Sequence, residues 1–270
     1  MALTTIGLMA LLGCFTGFMA GLLGIGGGMI ITPFLIMLIP SSLIPHDHIV
    51  HVAIATSLAT IAFTSLSSVR AHHKRGAVLW NVVASVAPGI LVGAVVGAQI
   101  AGCLPTFLLS FIFAGFVGFS AFKMFLNKSP RPDRNLPGTM GKFFMGIAIG
   151  ILSALVGAGG GFISVPWMVW CNVKMQNAVA TSAAFGFPIA LFGTIGYISG
   201  WNVSGLPLWP IDLGYICIPA LFSVAITSVL FAPLGAKVAH SIDTKPLKKI
   251  FACLLCFVCL YMIRQAYLAM

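Results

Sequence analysis

The chain has 270 residues, of which 60% are apolar and only 7% are charged. A soluble domain carries about 25% charged residues, so this composition excludes a soluble enzyme, a disordered chain and a disulfide-stapled secreted module. The net charge of +10 comes from cations clustered between long apolar runs. This pattern is typical of membrane orientation signals and not of a nucleic-acid-binding surface.

Two apolar regions, 3–39 and 142–171, are interrupted near their middles by glycines, GLLGIGGG at 21–28 and ALVGAGGG at 154–161. Glycines in series loosen a helix, so the sequence predicts a break in each region. Six other apolar stretches reach the length of about 20 residues that a bilayer crossing requires. These six predicted spans lie near residues 49–69, 77–100, 104–126, 178–200, 209–236 and 247–268.

The two halves of the sequence resemble each other. Residues 17–33 match residues 150–166 at eight positions, and the triplet Ala-Thr-Ser at 55–57 recurs at 180–182. The matches extend over most of both halves with small shifts in spacing, as loop insertions would produce. The sequence therefore indicates a duplication within one membrane domain.

Charge predicts how the two copies face the membrane. The cationic loops at 70–75, 123–142 and 237–249 are expected in the cytoplasm, and the uncharged connections 101–106 and 199–208 outside. The charged loop 70–76 of the first copy corresponds to the uncharged loop 199–208 of the second, whereas the uncharged loop 101–106 corresponds to the charged loop 237–249. This exchange is typical of inverted-topology repeats in secondary transporters.

The predicted fold is an all-α polytopic membrane protein with two inverted-topology repeats. Repeat 1 covers residues 1–126, a cytoplasmic linker covers 127–141, and repeat 2 covers 142–270. Each repeat is expected to contain a glycine-broken re-entrant hairpin and three transmembrane helices, because 142–171 must return to the side from which it entered. A single broken crossing in each of these regions stays open as an alternative.

Each glycine break is a candidate binding site for an anion. Short helices starting near Met29 and Phe162 would aim their first N–H groups, and the positive end of the helix dipole, at the membrane centre. Tight helix packing is the alternative explanation of the glycines. The candidate residues at the breaks are Gly26, Gly27, Gly28, Met29, Gly159, Gly160, Gly161 and Phe162.

Four hydroxyl side chains occur at matching positions in the helices that follow the breaks. Thr56, Ser57, Thr181 and Ser182 could donate to a bound oxyanion. The equally weighted alternative is that they bond to their own helix or to a neighbouring one.

Other reactive residues predict little additional chemistry. No acidic residue lies deep in a predicted span, so a proton, if it is the coupling ion, would have to use His, water or the ionisation of the substrate. His46, His48 and His51 fit a solvated outer loop best, with a metal site or a proton sensor as alternatives. Neither a metal site nor a cofactor is predicted. Cys253, Cys256 and Cys259 form a helical stripe that is expected to pack between helices, with a sulfur relay as the alternative.

The paired motif G-x-x-x-G-x-x-G-x-G-G-G-x-I-x-x-P at 17–33 and 150–166, together with the two Ala-Thr-Ser triplets, resembles the sulfite exporter TauE/SafE family of membrane permeases. The second copy departs from the motif at Ala154, which stands where the first copy has Gly21. The resemblance covers essentially the whole chain. It implies a multi-pass protein of the bacterial cytoplasmic membrane that moves sulfite, thiosulfate, sulfoacetate or a related sulfonate.

The predicted function is therefore that of a secondary transporter for a small sulfur-containing anion, working by alternating access. An anion channel with the same central site is one alternative. A membrane component that hands sulfur species to a partner enzyme is another. An intramembrane hydrolase is disfavoured, because the sequence contains no G-x-S-x-G motif.

Overall fold

The computed structural model describes residues 3–24, 26–39, 44, 46–126, 135–199, 215–239, 241 and 245–269. Within these ranges the chain is helical and has no β-strand. A 3₁₀ turn at His46–His48 precedes the third of ten α-helices. The helices are α1 (Leu3–Leu23), α2 (Gly28–Leu38), α3 (Ile49–His73), α4 (Trp80–Cys103), α5 (Thr106–Leu126), α6 (Thr139–Val156), α7 (Gly161–Trp170), α8 (Met175–Ile198), α9 (Ile218–Ala239) and α10 (Lys245–Leu268).

Eight of these described helices are long and apolar enough to cross a membrane, and the two exceptions are α2 and α7. The predicted multi-pass helical fold is thus confirmed, with two more span-length helices than the six spans expected. The additional ones are α1 and α6, with 21 and 18 residues. They reach this length because each glycine cluster follows the first helix of its region and leaves that helix unbroken.

Contacts along neighbouring helices establish their directions. Helices α1, α3, α5 and α9 run one way, and α4, α6, α8 and α10 run the other way. The contacts that show this are Gly13–Val224 and Gly21–Ala232 (α1 with α9), Thr56–Cys217 and Ser67–Val229 (α3 with α9), Gly186–Ser65 and Gly193–Leu58 (α8 with α3), Thr181–Leu79 and Gly196–Gln99 (α8 with α4), Gly89–Phe143 and Gly97–Ile151 (α4 with α6), and Phe111–Tyr267 and Ala114–Cys259 (α5 with α10).

The bundle consequently has two distinct ends. At one of them α3, α5 and α9 end and α4, α6, α8 and α10 begin. We call it the basic end, because it carries Arg70, Lys74, Lys142, Lys174 and Lys237. The far end is where α1 and α3 begin, and there the Nε2 atom of His51 lies 3.0 Å from the backbone oxygen of Leu104.

The chain reverses direction at each glycine break. Since α1 and α3 both begin at the far end, the segment between them must return there, and α2 makes the first part of that return. A Cβ atom added to Gly27 would lie 2.9 Å from the backbone oxygen of Thr16, eleven residues earlier. One added to Gly160 would lie 3.0 Å from Cγ2 of Ile149, also eleven residues earlier. This is the path of a hairpin, and it does not fit a single broken crossing.

Some motif glycines serve helix packing and not the breaks. A Cβ atom on Gly17 or Gly21 would overlap the backbone of α9, and one on Gly150 would lie 2.7 Å from the backbone oxygen of Ile90 in α4. Small residues allow this close approach of membrane helices. The packing interpretation therefore holds for the first part of each motif, and the later glycines form the breaks.

Candidate functional site

The two glycine breaks meet at mid-height in the bundle. A Cβ atom added to Gly26 would lie 2.8 Å from the Cα atom of Gly159 and 3.2 Å from Cγ2 of Ile61, which stands at the midpoint of α3. Helices α2 and α7 begin at Gly28 and Gly161, one residue before the starts expected at Met29 and Phe162. The positive ends of both short helices thus lie side by side at the centre.

Backbone geometry explains why glycine precedes each short helix. Gly27 and Gly160 have the same φ of 76°, in the left-handed region where a side chain costs about 1–2 kcal/mol. The backbone oxygen of Gly160 accepts hydrogen bonds from the N–H groups of Ile163 and Ser164, at 3.1 and 3.0 Å. Gly27 accepts the corresponding pair at the start of α2. The two breaks are therefore built alike.

Two of the predicted hydroxyls hold the break of the opposite half. Ser57 donates to the backbone oxygen of Gly157 at 3.1 Å, and Ser182 donates to that of Gly24 at 2.9 Å. Ser164, on α7, donates in turn to the Oγ atom of Ser182 at 2.8 Å. The two serines thus tie α3 to the second break and α8 to the first.

Thr56 and Thr181 accept hydrogen bonds from the residues just before α9 and α4. The Oγ1 atom of Thr56 accepts the N–H of Cys217 at 2.9 Å, and that of Thr181 accepts the N–H of Leu79 at 3.0 Å. In this conformation all four predicted side chains hydrogen-bond to the backbone of neighbouring segments. Contact of any of them with a solute stays a prediction.

The remaining predicted site residues lie at the breaks or beside them. Gly28 packs so closely that a Cβ atom there would overlap the backbone oxygen of Gly157. Met29 is buried, and the ring of Phe162 packs edge-on against that of Phe116 in α5, with centroids 5.7 Å apart. The breaks touch each other directly, so open space lies beside them and not between them.

A small crevice with a volume of about 10 Å³, room for about one water molecule, lies beside the first break. Its walls come from the end of α1 and the break itself, from the second half of α3, and from the first half of α8. Since α3 ends and α8 begins at the basic end, the crevice lies between the breaks and that end. Its lining includes Gly24, Gly26, Ser65, Ser68, Ala183 and Gly186.

The prediction that the histidines lie in a solvated loop is wrong for His51. This side chain lies at the start of α3 and is only 3% exposed. Its ring stacks on that of Tyr215, with centroids 5.5 Å apart, and Tyr215 also contacts His48 and Tyr197. The described residues contain no group of three or more His, Cys, Asp or Glu side chains that could hold a metal ion. The rings of His48, His51, Tyr197 and Tyr215 form an aromatic cluster at the far end.

The cysteine stripe on α10 is less buried than expected. Cys253 and Cys256 are exposed on the outer surface of the bundle, and Cys259 alone packs against a neighbour. Its thiol donates to the backbone oxygen of Ala114 in α5 at 3.3 Å. Packing between helices therefore describes Cys259, and the other two face outward.

Sequence reasoning missed several polar residues near the breaks. Thr32 and Ser153 are fully buried, and their hydroxyls have no hydrogen-bond partner in the described part of the chain. Ser65 and Ser68 line the crevice. Each of these four residues is an isolated hydroxyl residue in an apolar run close to a glycine motif, which could have indicated them. However, the matching positions in the other half carry no hydroxyl, so the repeat did not point to them.

Comparison with known proteins gives one consistent result. The profile of the family described as sulfite exporter TauE/SafE matches residues 9–262. A probable membrane transporter protein of Haemophilus influenzae is 35% identical, with 96% of this chain and 98% of that protein covered. A probable membrane transporter protein of Methanocaldococcus jannaschii is 27% identical, with 95% and 94% covered. No solved structure matches significantly.

Proposed function

Because the chain belongs to the sulfite exporter TauE/SafE family and is a multi-pass membrane transporter rather than an enzyme, we propose that it carries a small sulfur-containing anion. Sulfite, thiosulfate, sulfoacetate and related sulfonates are the candidate substrates. Transport would proceed by alternating access as a secondary transporter, and a proton is the candidate coupling ion.

The proposal includes an inverted arrangement of the two halves, and exchanged contacts support it. The first half's α1 packs on α9, and its counterpart α6 packs on α4, the counterpart of α9. The bond from Ser57 to Gly157 likewise has its counterpart in the bond from Ser182 to Gly24. Counterpart helices such as α3 and α8 run in opposite directions. Such repeats rock against each other around a fixed central site in many secondary transporters.

The meeting of the two breaks at mid-height is the observation that carries the proposal. Unwound backbone at membrane depth is tolerated only where protein or a watery cavity surrounds it. Here it brings two helix N-termini together, which favours negative charge. Among the described residues the N–H groups of Gly161 and Phe162 have no hydrogen-bond acceptor. The acidic residue Asp47 lies at the far end, away from the breaks.

Transport assays on reconstituted protein test the proposed function. Liposomes preloaded with unlabelled sulfite, thiosulfate or a sulfonate should accumulate the labelled anion by counterflow, because a carrier exchanges solutes and a channel only equilibrates them. A panel of the same anions should raise the thermal stability of the purified protein when they bind. Absence of binding and counterflow across the whole panel would overturn the proposal.

Substitution of the break glycines tests the central site. Replacing Gly160 by Ala should lower transport about tenfold, because a strained N-cap misdirects the N–H groups of α7. Replacing Gly27 or Gly160 by Val should abolish binding while the protein still inserts. Gly76→Ala is the matched control, since Gly76 also has a positive φ, 65°, and a Cβ there meets nothing within 4 Å. Equal transport by Gly160→Ala and Gly76→Ala would contradict a central site.

A further inference from the structure

The crevice beside the first break contains a polar group that its surroundings leave unused. Ser68 lies in its wall, is only 2% exposed, and its Oγ atom has no hydrogen-bond partner in the described part of the chain. A buried hydroxyl normally finds a partner, so this one is available to a guest in the crevice.

Neighbouring hydroxyls on α3 show how unusual Ser68 is. Thr60 donates to the backbone oxygen of Thr56 at 2.9 Å, and Thr64 donates to that of Thr60 at 3.1 Å. Ser65 donates to the backbone oxygen of Ala62 at 3.2 Å. A helical serine or threonine commonly satisfies itself in this way. Ser68 does not, although it lies in the wall of the crevice.

Ser65 stands one turn before Ser68 and lines the same crevice. Residues three apart on a helix are neighbours, so the two hydroxyls share one face of α3. The bond of Ser65 to Ala62 is long, and rotation about its Cα–Cβ bond would free its hydrogen for a guest. Two donors one helical turn apart suit a ligand that has several acceptor oxygens.

The charge around the crevice favours a negative ligand. The wall residues are uncharged, and three exposed cations follow Ser68, namely Arg70 on the last turn of α3 and Lys74 and Arg75 just after it. Exposed cations at the mouth of a cleft raise the local concentration of anions, and salt weakens this effect. The acidic residue described in the structure, Asp47, lies at the far end. Because the donors inside the crevice are uncharged hydroxyls, they bind an anion weakly enough for it to dissociate again.

We propose that Ser65 and Ser68 form a binding subsite for a small oxyanion between the glycine breaks and the basic end, which becomes available when the crevice widens beyond its present size of about one water molecule. This inference rests on the proposed function and adds a second binding position, besides the central breaks, to the path of the substrate. Ser68 supplies the main hydrogen bond and Ser65 the second one. The substrate would pass through this subsite as it moves between the central breaks and the basic mouth.

Binding measurements on the purified full-length protein test the subsite. Sulfite, thiosulfate, sulfate and chloride are titrated against wild type, Ser68→Ala and Ser68→Cys. Loss of one hydrogen bond to an anion should weaken oxyanion affinity about tenfold in both variants, since a thiol is a weak donor. Ser68→Cys nearly preserves side-chain volume, so it decides the question should Ser68→Ala fail to fold. Ser65→Ala should show a smaller loss in the same direction.

Ser120→Ala is the matched control. Ser120 is also a buried serine on a span-length helix, but it donates to the backbone oxygen of Phe116 within α5 at 2.8 Å, away from the crevice. Its affinity for oxyanions should equal that of wild type. Wild-type affinity in both Ser68 variants would overturn the subsite alone, and so would chloride binding with the same dependence on Ser68. Wild-type protein that neither binds nor transports any oxyanion would overturn the proposed function instead.

Discussion

A small crevice beside the glycine breaks lies toward the basic end, and the matching space toward the far end is filled. On the open side, α8 presents Ala183 and Gly186 to the crevice. The matching positions of α3, 125 residues earlier, hold Leu58 and Ile61, both fully buried. A Cβ atom added to Gly193 would lie 3.1 Å from Cδ1 of Leu58, so the leucine occupies the far-end counterpart of the crevice.

The polar ties at the two ends are alike despite this difference. Near the basic end the Nε2 atom of His72 lies 3.0 Å from the backbone oxygen of Gly21. Near the far end the hydroxyl of Tyr197 donates to the backbone oxygen of Ala154 at 3.2 Å. These residues stand at matching positions of the two halves. Both ends therefore have the same polar contact, and side-chain volume on α3 and α8 sets which side of the breaks keeps a crevice.

The aromatic cluster adds to the closure of the far end. Tyr215 stacks on His51 and contacts Tyr197. Burial raises the pKa of Tyr215 above its ordinary value, so its ring stays neutral at physiological pH. The far end is thus closely packed, and the small crevice lies on the other side of the breaks.

Among changes that alter the two sides of the breaks, filling the crevice should give the largest effect on transport. Replacing Gly186 by Ile reproduces on α8 the residue that α3 carries at the matching position. A Cβ atom there already lies 3.1 Å from Cβ of Ser65, so the larger side chain would occupy the crevice. Uptake of labelled anion into vesicles, normalised to inserted protein, should fall at least about tenfold, because dense packing excludes the solute.

The control for this experiment is Gly115→Ile. Gly115 is exposed on α5, and a Cβ atom there meets nothing within 4 Å. This variant adds the same side chain to another helix of the bundle and should transport as wild type does. Unchanged uptake by Gly186→Ile would show that substrate does not pass through the crevice.

Much of this arrangement could be predicted from the sequence. Runs of glycine within apolar segments predicted both breaks, because glycine loosens a helix regardless of tertiary context. The matching motifs predicted that the breaks would be built alike, and Gly27 and Gly160 have the same φ. Clustered cations predicted a shared basic end, since charge in loops follows membrane orientation.

What the sequence left open depends on packing between distant segments. The hydroxyls of Ser57 and Ser182 were candidate anion donors, yet each reaches a backbone oxygen in the opposite half. Which side of the breaks keeps a crevice depends on Leu58 filling space beside Gly193, 135 residues away. Neither contact leaves a local pattern, because hydropathy and periodicity report the face of a helix and not its partner.

Emptying the far-end space should give an intermediate effect. Replacing Leu58 by Ala removes buried methyl groups at a typical cost of about 2–5 kcal/mol and leaves a cavity. The structure should then open more often at the far end. In a chain that keeps Cys217 as its single cysteine, a membrane-impermeant maleimide added from the far side should react several times faster, since Cys217 lies buried near Thr56.

Leu108→Ala is the matched control for this labelling experiment. Leu108 lies on α5 near the far end and is already 38% exposed, so its truncation leaves no enclosed cavity. Cys217 should react at the unmodified rate in this variant. Equal labelling of the Leu58→Ala and Leu108→Ala proteins would show that Leu58 does not close the far end.

Removing the polar tie of the far end should give the smallest effect. Tyr197→Phe deletes one hydroxyl and keeps the ring, so the bond to Ala154 is lost with little change in packing. A net loss of about 1 kcal/mol is expected for one such hydrogen bond. Thermal unfolding in detergent should therefore begin a few degrees lower. Tyr267→Phe, at an exposed ring on α10 that packs against Phe111, should leave the unfolding temperature unchanged.

The combination of the last two changes sharpens the comparison between the ends. Leu58 closes the far end by volume and Tyr197 by a single hydrogen bond, and the two side chains act on different helices. Losing the Tyr197 hydrogen bond costs less free energy than losing the buried methyl groups of Leu58. Tyr197→Phe alone should therefore raise the labelling rate of Cys217 less than Leu58→Ala does. Faster labelling in Tyr197→Phe than in Leu58→Ala would mean that polar ties, and not side-chain volume, decide which end of the bundle is open.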